Sequence, residues 1–382
     1  MKKLFRTGLM TALAVTLATG WCYAATIMFP YINSNPGNLS TIVNVINTAT
    51  LANLGCNATE TLQLHYRYMT KLVTAEPVDA CDEKDFYRPS TTNDLVTFDV
   101  AGQIVSPNGG EAMFGDATDY NDGAGAPAFD LPNMGYTDAR RGYLLVNHRC
   151  SVTGEVPAAG TGLLDGEVML LDLVNGAAWG YEAALADQTV VAIGNYAFAD
   201  IVAAPLFNPA TGATTELLGE NGATAAPVTL YPRDEFQTRF FVTPLIISTD
   251  VVSTNDMSLT PVTQQKRTQI QLLDANGNVG VTDRDENPAS GGGPIHVRCV
   301  AGIDLDDLTG GFGTWFNAQG GWAYVDLLDP IALTGSPENE TSVNTDDDHC
   351  AVVFKLQFGS PDFAAGSMIN SISVVRTDRI ED

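Results

Sequence analysis

Ser40-Thr41-Ile42-Val43-Asn44-Val45-Ile46-Asn47 and Thr61-Leu62-Gln63-Leu64-His65-Tyr66-Arg67-Tyr68 alternate polar and apolar side chains with a period of two. That period puts one set of side chains on a buried face and the other on an exposed face, which is the signature of a strand. An extended apolar segment at 26–32 precedes the first of these, across an Asn/Pro/Gly turn. The same reasoning predicts strands at 95–100, 142–147, 166–173, 189–193, 236–248, 268–273, 322–327, 351–358 and 371–376. Asn276-Gly277 marks a hairpin turn, because both residues tolerate the positive φ that tight turns require. Helical signal is confined to a turn or two at 183–186 and 304–308. Many short strands without alternating helices make the chain all-β, with antiparallel sandwiches and not a βαβ fold. Long Gly/Asp/Pro/Ala-rich loops are expected at 106–137, 205–227 and 282–293.

The first 24 residues carry a different message. Lys2, Lys3 and Arg6 form a basic head, an apolar run follows from Leu9 to Ala18, and Cys22-Tyr23-Ala24 supplies small residues where a signal peptidase reads. The run is too short to span a bilayer. Trp21 stands before Cys22 where lipid attachment needs a small residue, so Cys22 is expected to leave with the leader. No second apolar run is long enough to cross a membrane. The expected destination is therefore the periplasm, the cell surface or the medium.

Removing the leader lowers the Lys and Arg total from 19 to 16 against 45 Asp and Glu, and moves the net charge from −26 to −29. Such a surface repels nucleic acid and anionic lipid, which excludes both as expected partners. The 358 residues from Ala25 onward are enough for two domains. A polar stretch at 249–260 separates two strand-rich halves, so the expected division is leader 1–24, N-terminal domain 25–255 and C-terminal domain 256–382.

Phe29-Pro30-Tyr31, followed by a glycine turn and residues 40–48, resembles the start of secreted bacterial proteins with immunoglobulin-like β domains. Residues 142–146, 166–172 and 238–244 are similar to further strands of those proteins. The resemblance implies an immunoglobulin-like sandwich. It implies nothing about function, because sandwiches host many unrelated activities.

Five cysteines follow the leader. Cys56 and Cys81 flank the strand at 62–68 in turn-like stretches, and Cys299 and Cys350 both lie in the C-terminal half. Two disulfides in those pairs are expected, each contributing on the order of 3 kcal/mol. Cys150 is then left as an unpaired or intermolecular thiol. A competing arrangement is zinc, since His148, His296 and His349 lie beside Cys150, Cys299 and Cys350.

Alternating Asp and Asn can supply calcium with oxygens from one side of a loop. Asp283, Asp285 and Asn287 have that alternation, and Asp116, Asp119 and Asn121 form a second oxygen-rich stretch. Calcium is accordingly the one cofactor anticipated. Gly-x-Ser-x-Gly, His-Glu-x-x-His, Walker and dinucleotide motifs are absent. Trp179, Trp315 and Trp322 with Tyr181 could line a sugar groove, against the commoner use of buried tryptophans as anchors. The expected function is non-catalytic: an exported structural or binding protein, adhesive in character, that meets itself or other surface components. The alternatives are a filament subunit that donates its strand at 26–32, and a secreted carbohydrate-active enzyme.

Overall fold

A computed structural model describes residues 26–103, 129–155, 163–174, 177–185, 206–207, 214–215, 225–245, 267–310, 314–328, 350–359 and 368–369. The first strands are β1 (Thr26–Ser34), β2 (Leu39–Asn47), β3 (Leu62–Leu72), β4 (Asp82–Pro89), β5 (Asp94–Asp99) and β6 (Arg140–Cys150). Next come β7 (Gly154–Glu155), β8 (Leu164–Asp172), β9 (Ala177–Glu182) and β10 (Ala184–Leu185). They are followed by β11 (Leu206–Phe207), β12 (Thr214–Thr215), β13 (Ala225–Leu230) and β14 (Phe236–Leu245). The C-terminal part holds β15 (Arg267–Leu273), β16 (Gly280–Asp283), β17 (Pro288–Ser290), β18 (Ile295–Arg298) and β19 (Ala301–Asp304). Two short helices, α1 (Leu305–Thr309) and α2 (Thr314–Gln319), lead into β20 (Gly321–Leu328), β21 (Cys350–Gly359) and β22 (Met368–Ile369).

The described strands pair antiparallel in four sheets, so the all-β expectation holds. Sheet I has the order β5-β2-β8-β9, and sheet II the order β10-β1-β6-β3-β4 with β7 on β6. Their inner faces share one core: Val43, Val45, Phe98 and Val168 from sheet I meet Phe29, Leu64, Tyr66, Tyr68 and Val146 from sheet II. Ala183 carries the chain from β9 in one sheet to β10 in the other, where a turn of helix was expected. Phe129 plugs this core, stacked on Phe98 at 4.6 Å and edge-on to Tyr66 at 5.0 Å.

Sheet III runs β12-β11-β13-β20-β15-β18, with β16 on β20 and β17 on β16. Sheet IV runs β19-β14-β21-β22. Sheet IV is buried on both faces. Phe240, Val242, Ala351 and Val353 join Ile270, Leu272 and Val325 in a second core, whereas Phe241, Phe354 and Leu356 turn to the first. The consecutive run Phe240-Phe241-Val242 reflects this, since a strand covered on both sides has no need of alternation.

The expected boundary at 255/256 does not follow the strand pairing. β13 pairs β20, and β14 pairs β19 and β21, so residues 225–245 build the C-terminal sheets. The polar stretch at 249–260 lies outside the described residues, as do the expected strands at 189–193 and 371–376. Among the described residues no helix is long and apolar enough to cross a membrane.

Candidate functional site

The most elaborated region is the seam where sheet IV meets the first sandwich. It begins with an irregularity in β1. The β1–β6 register runs from Thr26–Asn147 to Phe29–Leu144 and resumes at Ile32–Gly142, so Pro30 and Tyr31 oppose the single residue Tyr143. This is a bulge, and proline is tolerated there because it has no N–H to contribute to the ladder. The freed backbone groups are taken up by side chains from elsewhere. Thr243 Oγ1 on β14 donates to the Pro30 carbonyl at 2.5 Å. The Tyr181 hydroxyl on β9 accepts from the Tyr31 N–H at 3.0 Å and donates to the Tyr31 carbonyl. Burial pushes the Tyr181 phenol far above its usual range, so it keeps the proton that this second bond needs.

Two aromatic stacks cross the seam: Tyr31 on Phe241 at 4.0 Å and Tyr181 on Phe354 at 4.7 Å. With Trp179, Lys355 and Leu356 these rings line a cleft whose free space takes at most one water, too little for a sugar. Trp179 therefore packs against the seam, Trp322 lies on β20 edge-on to Tyr324 at 5.0 Å, and the Trp315 side chain is outside the described residues. The sugar groove anticipated from these residues is not assembled among them.

A second tie lies beside the stacks. Lys71, at the end of β3, is buried, and its Nζ donates to the carbonyls of Glu76, Pro77 and Asp79 at 3.0 Å each and of Arg298 at 3.1 Å. Burial pushes this ammonium down to about 7; Arg141 and Arg298 act with it and Asp79 against it. The Arg298 N–H returns a bond to the Pro77 carbonyl at 2.9 Å. One residue on, Cys299 is bonded to Cys81, which immediately precedes β4. The two sandwiches are thus joined covalently, through residues separated by 218 positions.

The second disulfide joins Cys56 to Cys150. Both observed pairs differ from the expected ones, and Cys150 is not a free thiol. The reason is strand length. Cys56 lies before and Cys81 after an 11-residue β3, whose ends are roughly 35 Å apart at about 3.3 Å per residue. β6 returns antiparallel along β3 and sets Cys150 opposite Leu62, within reach of Cys56. Cys350 opens β21 opposite Leu245, with β14 lying between it and β19, and Cys299 is bonded to Cys81 instead. Beside Cys56–Cys150 the Glu60 carboxylate accepts from the N–H groups of Asn57, Val152 and Thr153 and from the Thr153 hydroxyl. Burial would raise its pKa, but these bonds win and hold it at about 2.

Cys56, Glu60 and Cys150 are the one close grouping of three potential metal ligands among the described residues, and its two sulfurs are already joined. The disulfides likewise remove Cys150 and Cys299 from the zinc set that His148 and His296 suggested. His148 instead faces the core. Its Nε2 meets Asn47 Oδ1 at 2.8 Å, and its Nδ1 has no partner among the described residues. Burial pushes its pKa down to about 3.

The acidic loop at 283–287 closes on itself. Asp283 accepts from the N–H groups of Asp285 and Asn287 and from Asn287 Nδ2, at 2.8, 2.7 and 2.9 Å. The hairpin at 274–278 repeats the pattern, with Asp274 accepting from Asn276 and Asn278. The two stretches thus form successive Asx-type hairpin turns, the first at 274–278 and the second at 283–287. Asp116, Asp119 and Asn121 lie outside the described residues.

The alternation of β3 announces that Lys71 shares a face with His65 and Arg67, but its four acceptors come from a turn and from a residue 227 positions away. Nothing local could have revealed them. No protein-family model matches the chain, and neither a curated protein nor a solved structure matches it significantly.

Proposed function

We propose that this is an exported, non-catalytic structural or binding protein of the cell surface or extracellular space, adhesive in character. The observation that carries the reading is the seam: the Cys81–Cys299 bond, the Lys71 tie and the stacks of Tyr31 and Tyr181 hold two sandwiches as one body. Disulfides persist outside the cytoplasm, which agrees with the leader read from residues 1–24. Four groups that burial or bonding perturbs strongly also support it. Lys71, Glu60, Tyr181 and His148 bond to other groups of the chain itself and act as braces.

The test is fractionation of cells that make the tagged protein, combined with attachment assays of cells lacking it. The reading expects surface or medium localisation, an N-terminus at Ala25 and weakened attachment or surface integrity. Retention in the cytoplasm with the leader intact would overturn the export. Turnover on glycoside or ester panels, abolished by one Asp or Glu substitution, would overturn the non-catalytic role.

A filament built by strand donation is the second reading. β1 lies just after the proposed cut, and all nine of its residues are buried between β6 and β10, the burial that a donated strand requires. In this chain β1 completes its own sheet. Donation would therefore need exchange of that strand between copies. A purely monomeric mature protein in size-exclusion chromatography and negative-stain imaging would sink the filament.

A further inference from the structure

Four backbone carbonyls converge on the Lys71 ammonium, three from the turn after β3 and one from Arg298 in the other sandwich. An ammonium has three donors, so four acceptors around it are shared in no single fixed hydrogen-bond pattern, and these carbonyls hold the cation against burial and the nearby guanidiniums of Arg141 and Arg298. The oxygens that meet the ammonium are neutral carbonyls. A cage of that kind suits a weakly hydrated monovalent cation, because calcium calls for shorter contacts and carboxylates. Pro77 contributes a carbonyl without an N–H of its own. The turn is further held by Arg141, which donates to the Ala75 carbonyl at 2.9 Å, and by the Asp79 carboxylate, which accepts from the Glu76 N–H at 2.9 Å.

We propose that these four carbonyls are a monovalent-cation site that closes the seam, and that the tethered ammonium of Lys71 is its resident cation. The chain thereby carries its own ion, and the seam does not depend on the ions of its surroundings. Removing the ammonium leaves four carbonyls facing one another, a cost that a diffusible cation of the right size can relieve.

The experiment compares wild type with Lys71→Ala and Lys71→Met at pH 6, reading thermal midpoints at equal ionic strength. Chlorides of n-propylammonium, potassium and tetramethylammonium are added in turn. Propylammonium replaces the three methylenes and the ammonium that Lys71→Ala removes. The proposal expects both variants to melt below wild type. It expects propylammonium or potassium to recover at least half of the loss in Lys71→Ala, with tetramethylammonium inert. Wild type should not respond, and Lys71→Met, whose stem fills the space, should not recover. Equal recovery by all three salts, or variants as stable as wild type, would overturn it. Should Lys71→Ala not fold, lysine-selective 15N spectra of wild type decide. A sharp ammonium resonance protected from solvent exchange supports the site, and its absence overturns it.

Discussion

The hydroxyl of Tyr181 bonds both backbone groups of Tyr31, which lies 150 positions earlier in the chain. The β1 bulge releases those groups from the ladder with β6, and Tyr181 is placed to receive them because β9 ends where sheet I turns toward sheet II. Replacing Tyr181 with Phe keeps the stack on Phe354 but leaves a buried N–H and C=O without that partner. We expect a loss of about 1–3 kcal/mol in denaturant unfolding. A loss no greater than that of an exposed Tyr→Phe control, Tyr87→Phe, would contradict this role.

His148 makes a second expectation concrete. Its pKa is about 3 in the folded protein against about 6.5 for an unperturbed histidine. A depressed pKa means that only the unfolded chain binds the proton between those values. Stability is therefore fully present above pH 6.5 and is lost as pH falls toward 3. By pH 5 the loss from this group is about 2 kcal/mol. Glu60 adds to acid sensitivity in the same direction, but only below about 4.5, as pH falls toward its folded value of about 2. His148→Gln should flatten the stability profile from pH 6.5 down to about 3, so that the acid sensitivity left below 4.5 is that of carboxylates such as Glu60. An unchanged slope over that interval would show that another group is responsible.

The two Asx-type hairpins offer a comparison within one molecule. Gly277 occupies the left-handed position of the first turn with φ 78°, and Glu286 the equivalent position of the second with φ 66°. Glycine is suited to that conformation and glutamate is strained in it. Glu286→Gly should stabilise by about 1 kcal/mol, and Gly277→Ala should destabilise by a similar amount. Opposite signs in thermal unfolding are the expected outcome. Equal signs would mean that the turns are not equivalent.

Cysteine pairing is open to direct chemistry. With the leader cut after Ala24, five cysteines remain and four are bonded, so thiol titration of denatured mature protein should find one thiol per chain. Peptide mapping should recover Cys56 with Cys150 and Cys81 with Cys299. A Cys56–Cys81 peptide would refute the strand order that holds those two residues apart.

Much of this architecture was legible in the residues. Period two located the sandwich strands β2 and β3, and the helical signal at 304–308 located α1, which ends on the left-handed Gly310. β4 escaped notice because Asp82-Glu83-Lys84-Asp85 is charged on both faces. It is an edge strand, where charge guards against pairing with other chains, and only Phe86 and Arg88 reach inward. β13 was hidden in a stretch whose Ala, Pro and Gly content suggests loop, yet Val228 and Leu230 enter the second core. The seam was the least legible part. Its members are individually ordinary, and only the return of β6 along β3 and the two-sided burial of sheet IV bring Tyr31, Lys71, Cys81, Phe241 and Cys299 together.

That seam is most directly tested by differential scanning calorimetry of the oxidised mature protein at neutral pH. If the two sandwiches are one body, they unfold in a single transition whose calorimetric and van't Hoff enthalpies agree. Cys81→Ser with Cys299→Ser should lower stability by about 2–5 kcal/mol. Two separable transitions in the oxidised wild type, one for each sandwich, would contradict the account.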